Sequence, residues 1–259
     1  MRALITGASK GIGRAIALRL AMPGTTLALA AGSLSKELEV TSELVLERGA
    51  VPVLLAADLA KPDAATELVR QAAAALDGLD GVVSNAGISR PGPLGDLSPS
   101  TWDEVFAVNV RAPWLLAREA FPHLTASGGA FVGIASMSGV APYPDMGAYS
   151  PSKAAMIMLV RVLAQEWAVA GVRANAVSPG LFETPLTAAT YADPAIRETR
   201  TAQVPLGRIG QPAQDVAGTV AFLLSSDAAY ITGQNLIVDG GLLDTVQGRL
   251  PGRPATGVA

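Results

Sequence analysis

Thr6-Gly7-Ala8-Ser9-Lys10-Gly11-Ile12-Gly13 decides the fold, because it stands between a short aliphatic run, Ala3 to Thr6, and a helical pattern from Gly11 to Ala21. In such a turn Gly7 can take positive φ, while Gly11 and Gly13 lack the Cβ that would hold a pyrophosphate off the backbone and the helix off the sheet. Free N–H groups and the dipole at a helix start favour an anion at that point. Read alone, a glycine cluster is equally a plain tight turn; a strand before it and a helix after it point to nucleotide phosphate.

The same alternation runs outward from this turn. Aliphatic runs recur at Thr26 to Ala30, Val51 to Ala56, Gly81 to Ser84, Ala130 to Ser136, Arg173 to Ser178 and Leu236 to Val238. Helical patterns separate them: Ser35 to Arg48, Pro62 to Leu76, Thr101 to Leu124, Ala148 to Ala170 and Gln214 to Leu224. Short apolar strands alternating with helices imply βαβ units, and strands apolar on both sides imply helices on both faces. The fold class expected is α/β, a Rossmann-type, doubly wound, seven-stranded parallel sheet in one domain over 1–241. Two stretches break the alternation: Phe182 to Gln211, read as a lid of about 182–211 over the substrate, and a Gly/Pro-rich extension over 242–259.

Composition narrows the function. Of 259 residues half are hydrophobic and 16% charged, which excludes a disordered chain. The formal net charge of −3 supplies no basic footprint for nucleic acid or an acidic membrane surface. Without cysteine there is no disulfide framework, thiolate chemistry or Cys-ligated metal, and with His123 as the only histidine neither a Ser-His-Asp triad nor a multi-His metal site is expected. No metal is expected. Trp102, Trp114 and Trp167 read as packing. The longest apolar stretches fall short of the roughly 20 residues that cross a bilayer, and the first residues already read as a strand rather than a signal peptide, so a soluble cytoplasmic protein is expected.

The spacing Gly-x-x-x-Gly-x-Gly resembles the short-chain dehydrogenase/reductase family in its compact branch, the branch of the 3-oxoacyl-[acyl-carrier-protein] reductases. The remaining motifs follow in the family's order: Asp58-Leu59, Asn85-Ala86-Gly87, Asn109, Ser136, Tyr149-Ser150-Pro151-Ser152-Lys153, Pro179-Gly180 with Thr184, and Asp239-Gly240-Gly241. Ser84 departs from the family, where Asn often precedes the Asn-Ala-Gly motif. The resemblance covers about 1–241.

What the resemblance implies is a nicotinamide cofactor held by Gly7, Ser9, Lys10, Gly11, Ile12 and Gly13 at the phosphates, by Asp58 and Leu59 at the adenine, and by Asn85, Ala86 and Gly87 on the adenosine ribose side. Pro179, Gly180, Phe182 and Thr184 would contact the nicotinamide, with Tyr149 and Lys153 beside them. The implied catalytic group is Asn109, Ser136, Tyr149 and Lys153, with Asn109 holding a water that links the lysine to solvent. Met137, Ser138, Tyr143 and Met146, with Ser136 and Tyr149, would form the substrate wall, a mostly apolar set without convergent charge.

Family members that use NAD carry an acid at the end of the second strand, whereas Leu27 to Ser33 contains none. Lys10 offers a positive charge for a 2′-phosphate. NADP(H) is therefore the expected cofactor, with NAD(H) as the alternative.

Tyr149 and Lys153 lie four residues apart, one helical turn on one face. A Lys⁺ about 5 Å from a phenol lowers the phenolate by roughly 3 kcal/mol at an effective dielectric near 20, about two pKa units, toward about 8. Proton transfer near neutral pH then becomes feasible.

The expected function is hydride transfer between NADP(H) and a carbonyl or secondary alcohol of a small, mostly apolar substrate, with Tyr149 as general acid/base. One alternative is a 3-oxoacyl-[acyl-carrier-protein] reductase; its acidic partner needs basic residues near the mouth, where relatives carry arginines and this chain has Ser127 and Ala170, leaving Arg90 and Arg111 as possible substitutes. Another is a non-catalytic NADP-binding sensor, which would not need the Tyr-Lys pair. A homotetramer is expected, since this branch pairs its two long helices across one two-fold axis and its last helix and strand across another.

Overall fold

The computed structural model describes residues 1–245, so of the 242–259 extension only the start, a 3-10 turn at Leu243–Thr245, is described, and 246–259 lies outside the described residues. Seven strands form one sheet: β1 (Arg2–Thr6), β2 (Thr26–Ala31), β3 (Val51–Ala56), β4 (Gly81–Ser84), β5 (Ala130–Ile134), β6 (Arg173–Pro179) and β7 (Asn235–Val238). Their spatial order is β3-β2-β1-β4-β5-β6-β7, and every neighbouring pair is parallel. The chain winds outward from β1 to β3 and then resumes at β4 on the other side of β1. A crevice opens at the carboxyl ends of β1 and β4, where a doubly wound sheet binds ligands.

Alternate strand residues supply the two faces. Leu4, Ala28, Val82 and Phe131 pack under α3 (Ala64–Leu76), α5 (Ala112–Ser127) and α6 (Tyr149–Trp167), through Leu68, Leu116, Leu124, Met156 and Val160. Ala3, Ile5, Leu27, Leu29, Val83 and Val132 pack under α1 (Gly11–Leu20), α2 (Lys36–Glu47) and α9 (Ala217–Leu224), through Ile16, Leu38, Val45, Val220 and Leu223. Period two on a strand sends neighbours to opposite faces, so a strand covered twice must be apolar throughout. At Gly13 an added Cβ would lie 2.1 Å from the Gly7 carbonyl oxygen, so only glycine lets α1 start against the turn that feeds it.

Several sequence-based boundaries need correction. The pattern Thr101 to Leu124 is not one helix: α4 (Pro99–Phe106), capped by the Ser98 hydroxyl, leads into a π-helical turn at Ala107–Arg111 before α5 begins. Helical periodicity continues through a π turn, which adds one residue without ending the apolar stripe. Strand β5 stops at Ile134, so Ser136 lies beyond its end, extended, and caps a 3-10 turn at Met137–Gly139. The 182–211 stretch contains two helices, α7 (Ala188–Tyr191), a single turn too short to show a period, and α8 (Pro194–Thr201), whose polar sequence hides it from an apolar-period search. The ends of that stretch meet, with the Glu183 amide donating to the Gly210 carbonyl at 3.0 Å, so it leaves the sheet and returns as a closed excursion. No helix among the described residues is long and apolar enough to cross a membrane.

Candidate active site

The cleft beyond the carboxyl ends of β1, β4, β5 and β6 has a volume of about 410 Å³. It collects Gly7, Ser9, Lys10, Gly11, Ile12 and Gly13 from the first turn, Asn85 to Gly87 after β4, Ser136, Tyr149 and Lys153, and Pro179, Gly180, Phe182 and Thr184 after β6. Asp58 and Leu59 line a second cavity of about 240 Å³ with Ala30, Ala31 and Gly32, which shares Gly7, Ser9, Ala86 and Gly87 with the first. All residues expected at the cofactor thus border one continuous groove, with the second-strand end at one extremity and Tyr149 toward the other.

The turn is built to face this groove. Asn85 donates its amide to the Thr6 carbonyl at 2.8 Å, and its backbone N–H meets the Thr6 hydroxyl at 3.0 Å, locking the end of β4 to the end of β1. Helix α1 begins at Lys10 without a side-chain acceptor for its first-turn amides. Near Lys10, Glu37 is held below the usual carboxylate range by its own backbone amide and the Ser35 hydroxyl, with the positive charges of Lys10 and Arg14 contributing less.

Around Tyr149 the geometry is closely specified. Lys153 is buried; its ammonium donates to the Ile134 carbonyl at 2.8 Å, and Nζ lies 5.6 Å from the centroid of the Tyr149 ring. Asn109 sits in the π turn, completely buried, and accepts from the Ile88 amide at 2.9 Å while donating to the Ile88 carbonyl at 2.9 Å and to Ser152 Oγ at 3.0 Å. The Ser152 hydroxyl in turn donates to the Tyr149 carbonyl at 2.6 Å. Asn109 therefore reaches the first turn of α6 through Ser152, a residue quoted in the sequence motif but given no role there.

Gly87 and Gly139 make this packing possible. A Cβ on Gly87 would lie 3.2 Å from Asn109 Oδ1 and 3.3 Å from Lys153 Nζ, and one on Gly139 would strike the Lys153 carbonyl carbon at 2.6 Å. Pro151 falls inside the first turn of α6, as the position of its missing N–H requires.

The ionisation expected from the Tyr-Lys spacing is not what the protein's own groups produce. Removal from water raises the Tyr149 phenol above its ordinary value, with the Ser136 hydroxyl working the other way. Burial pulls Lys153 down to about 8. Desolvation disfavours both charged forms, and it outweighs the attraction used in the sequence argument.

The expected substrate wall divides. Ser136 and Tyr149 line the cofactor groove, whereas Ser138, Tyr143 and Met146 line another cavity of about 570 Å³ against Ser150, Pro151 and Ala154. Met137 borders neither. Successive helix residues point about 100° apart, so Tyr149 and Ser150 open onto different sides of α6. The wall also has a charge that the sequence did not reveal: Arg200, in the last turn of α8, donates to the Tyr143 hydroxyl at 3.0 Å. The two residues lie 57 positions apart, beyond any local signal.

A family model described as enoyl-(acyl carrier protein) reductase matches residues 7–243. The chain is 37% identical to a glucose 1-dehydrogenase of Gluconobacter oxydans, over 93% of this chain and 91% of that protein. It is 35% identical to a 3-oxoacyl-[acyl-carrier-protein] reductase of Staphylococcus aureus, over 93% and 97% respectively. A crystal structure with bound NADP, of an Agrobacterium tumefaciens protein assigned as a 2-deoxy-d-gluconate 3-dehydrogenase, superposes with a TM-score of 0.86 at 36% identity, covering 93% of this chain and 96% of the other.

The lysine's depressed pKa yields a test. Between about 8 and the ordinary 10.5 the unfolded chain binds more protons at this site than the folded chain, so stability rises with pH across that window and the burial cost is fully present below it. Relative to Lys153→Met, the wild-type protein is expected to gain about 3 kcal/mol of unfolding free energy from pH 8 to pH 10.5 in urea titrations. Curves that stay parallel would contradict a buried ammonium.

Proposed function

The chain belongs to the short-chain dehydrogenase/reductase family, oxidoreductases acting on CH–OH groups, and from that footing we propose that it moves hydride between NADP(H) and a carbonyl or secondary alcohol of a small, mostly apolar substrate. The observation that carries the proposal is the placement of Ser136, Tyr149 and Lys153 in the same groove as the glycine turn.

The residues present fit a nicotinamide dinucleotide. The uncapped start of α1 offers amide donors to a pyrophosphate, and Gly7, Gly11 and Gly13 leave the backbone open to it. Asp58 and Leu59 would border the adenine, with Asn85, Ala86 and Gly87 beside the adenosine ribose. Pro179, Gly180, Phe182 and Thr184 would hold the nicotinamide, which when bound supplies or accepts the hydride and, oxidised, adds a positive charge beside Tyr149.

In the direction of reduction, the Ser136 hydroxyl donates a hydrogen bond to the substrate carbonyl, and the Tyr149 phenol delivers its proton to the same oxygen. The phenol suits the acid role, since burial keeps it protonated. Lys153, fixed by Ile134, stabilises the phenolate left behind, and the Asn109–Ser152 chain holds the first turn of α6 in place. Tyr149→Phe is expected to lower kcat by about 10³-fold or more with little change in cofactor affinity, measured by NADPH oxidation against a panel of ketones and by fluorescence titration. Turnover within ten-fold of wild type would refute the assignment.

The preference for NADP(H) rests on the end of β2, where Ala30, Ala31 and Gly32 border the groove without an acid, and on Lys10. Lys10→Ala should weaken NADPH at least about ten-fold more than NADH, and Ala31→Asp should shift binding toward NADH. Equal effects of Lys10→Ala on both cofactors would make it a plain surface charge.

The carrier-protein alternative is less favoured, because both of its candidate contacts already have partners within the chain. Arg90 pairs with Glu104 at 2.7 Å, and Arg111 turns inward to the Ala60 carbonyl at 2.5 Å. An acidic partner would have to compete with these contacts, which supports free small ketones or alcohols over a carrier-bound acyl group.

We also infer a homotetramer. Trp114 on α5 and Met158 and Val162 on α6 are exposed, as are Phe222 on α9 and Ile237 on β7, the elements the family uses for its two-fold contacts. Light scattering should give four times the chain mass; a monomer at micromolar concentration would overturn this.

A further inference from the structure

Two segments bound the reacting groups. The 137–148 loop joins Ser136 directly to Tyr149, and the start of the 182–211 excursion lines the groove through Thr184, Pro185, Leu186 and Thr187. Among the described residues one hydrogen bond spans from the excursion to this loop, Arg200 to the Tyr143 hydroxyl at 3.0 Å. The pair thus ties the excursion, whose start lines the groove, to the loop whose two ends carry Ser136 and Tyr149.

The excursion carries three arginines with very different partners. Arg197 pairs with Glu183 at 2.7 Å, and Arg208 holds Asp215 through two bonds of 2.5 and 2.6 Å. Arg200 has no carboxylate partner among the described residues. Its guanidinium lies 5.6 Å from the centroid of Tyr191, a buried ring that also carries Arg197 at 5.5 Å, so the cation is held in position without being neutralised.

A guanidinium has five N–H donors in a planar fork that matches a carboxylate, and only one is used here. Because the Tyr143 oxygen accepts from Arg200, its own O–H remains to donate. Leu186 lines the groove that holds Tyr149, and Val140 and Met146 line the cavity that holds Tyr143, so both sides offer apolar wall.

We propose that Arg200 and Tyr143 form an anion subsite at the substrate mouth, and that the preferred substrate of the oxidoreductase proposed above carries a carboxylate separated by a short hydrocarbon from the carbon that exchanges hydride. The carboxylate takes the guanidinium fork and the tyrosine O–H together, drawing the excursion onto the 137–148 loop as it binds. No covalent step is added; the subsite orients the substrate and selects it.

The test compares 3-oxocyclohexanecarboxylate and 5-oxohexanoate with their methyl esters, in the wild type, Arg200→Leu, Arg200→Lys and Tyr143→Phe. The wild type is expected to favour an acid over its ester by at least ten-fold in kcat/KM, mainly through KM. Arg200→Leu should lose at least ten-fold on the acid and under three-fold on the ester; Arg200→Lys should restore part of the loss, and Tyr143→Phe should lose less. Thermal shift reads the site without turnover: with NADPH present the acids should raise the Tm of wild type and not of Arg200→Leu. An acid-to-ester ratio that Arg200→Leu leaves unchanged, or equal thermal shifts in the two proteins, would overturn the subsite. If esters and acids are turned over alike, the hydride-transfer reading stands and the subsite falls. If neither is turned over while the arginine-dependent shift persists, the subsite stands and the hydride-transfer reading is what fails.

Discussion

A single buried ammonium sets the terms for this site. Lys153 lies inside the protein with the Ile134 carbonyl as its protein partner, at a position where burial has already drawn it down to about 8. A lysine seldom takes such a position, because losing water costs its charged form several kcal/mol. The surrounding elements are shaped to hold it. Strand β5 ends where its last carbonyl can accept the ammonium, Gly87 keeps the space at Nζ clear, and Gly139 lets the following loop press against the α6 backbone.

The same constraint reaches the chain's other polar contacts. Tyr149 is placed by the first turn of α6, whose carbonyl takes the Ser152 hydroxyl, and Ser152 is tied to Asn109. Asn109 is available because the helix before α5 widens into a π turn, a distortion that an ordinary helical repeat would not produce. Three segments far apart in sequence thereby converge on the phenol proposed to transfer the proton. The glycine turn performs the parallel task at the other side of the groove, where close approach of α1 to the backbone of Gly7 admits no side chain.

Much of this was legible in the sequence, because the signals were local. Turn glycines, apolar strands and the Tyr-Lys spacing each report on contacts within a few residues, and all the cofactor residues they implied border one groove. What escaped was geometry without local periodicity. The π turn hides inside an unbroken apolar stripe, α7 is a single turn, α8 is polar, and the Arg200–Tyr143 contact joins residues 57 apart. The ionisation argument failed for a related reason: spacing on a helix reveals the attraction between Tyr149 and Lys153 and conceals the desolvation that opposes it. The split of the substrate wall followed from helix geometry at Tyr149 and Ser150, where one step along the chain turns to a different cavity.

The central claim is that the protein alone keeps Tyr149 protonated, as the acid role in reduction requires, and that the positive charge of an oxidised nicotinamide eases its ionisation for the reverse direction. Ultraviolet difference titration of phenolate in wild type minus Tyr149→Phe, with and without oxidised cofactor, measures this directly. The account predicts a Tyr149 midpoint above that of free tyrosine in the protein alone and a downward shift of at least about one unit with oxidised cofactor bound. Phenolate forming near pH 8 without cofactor, or a titration indifferent to it, would contradict the account.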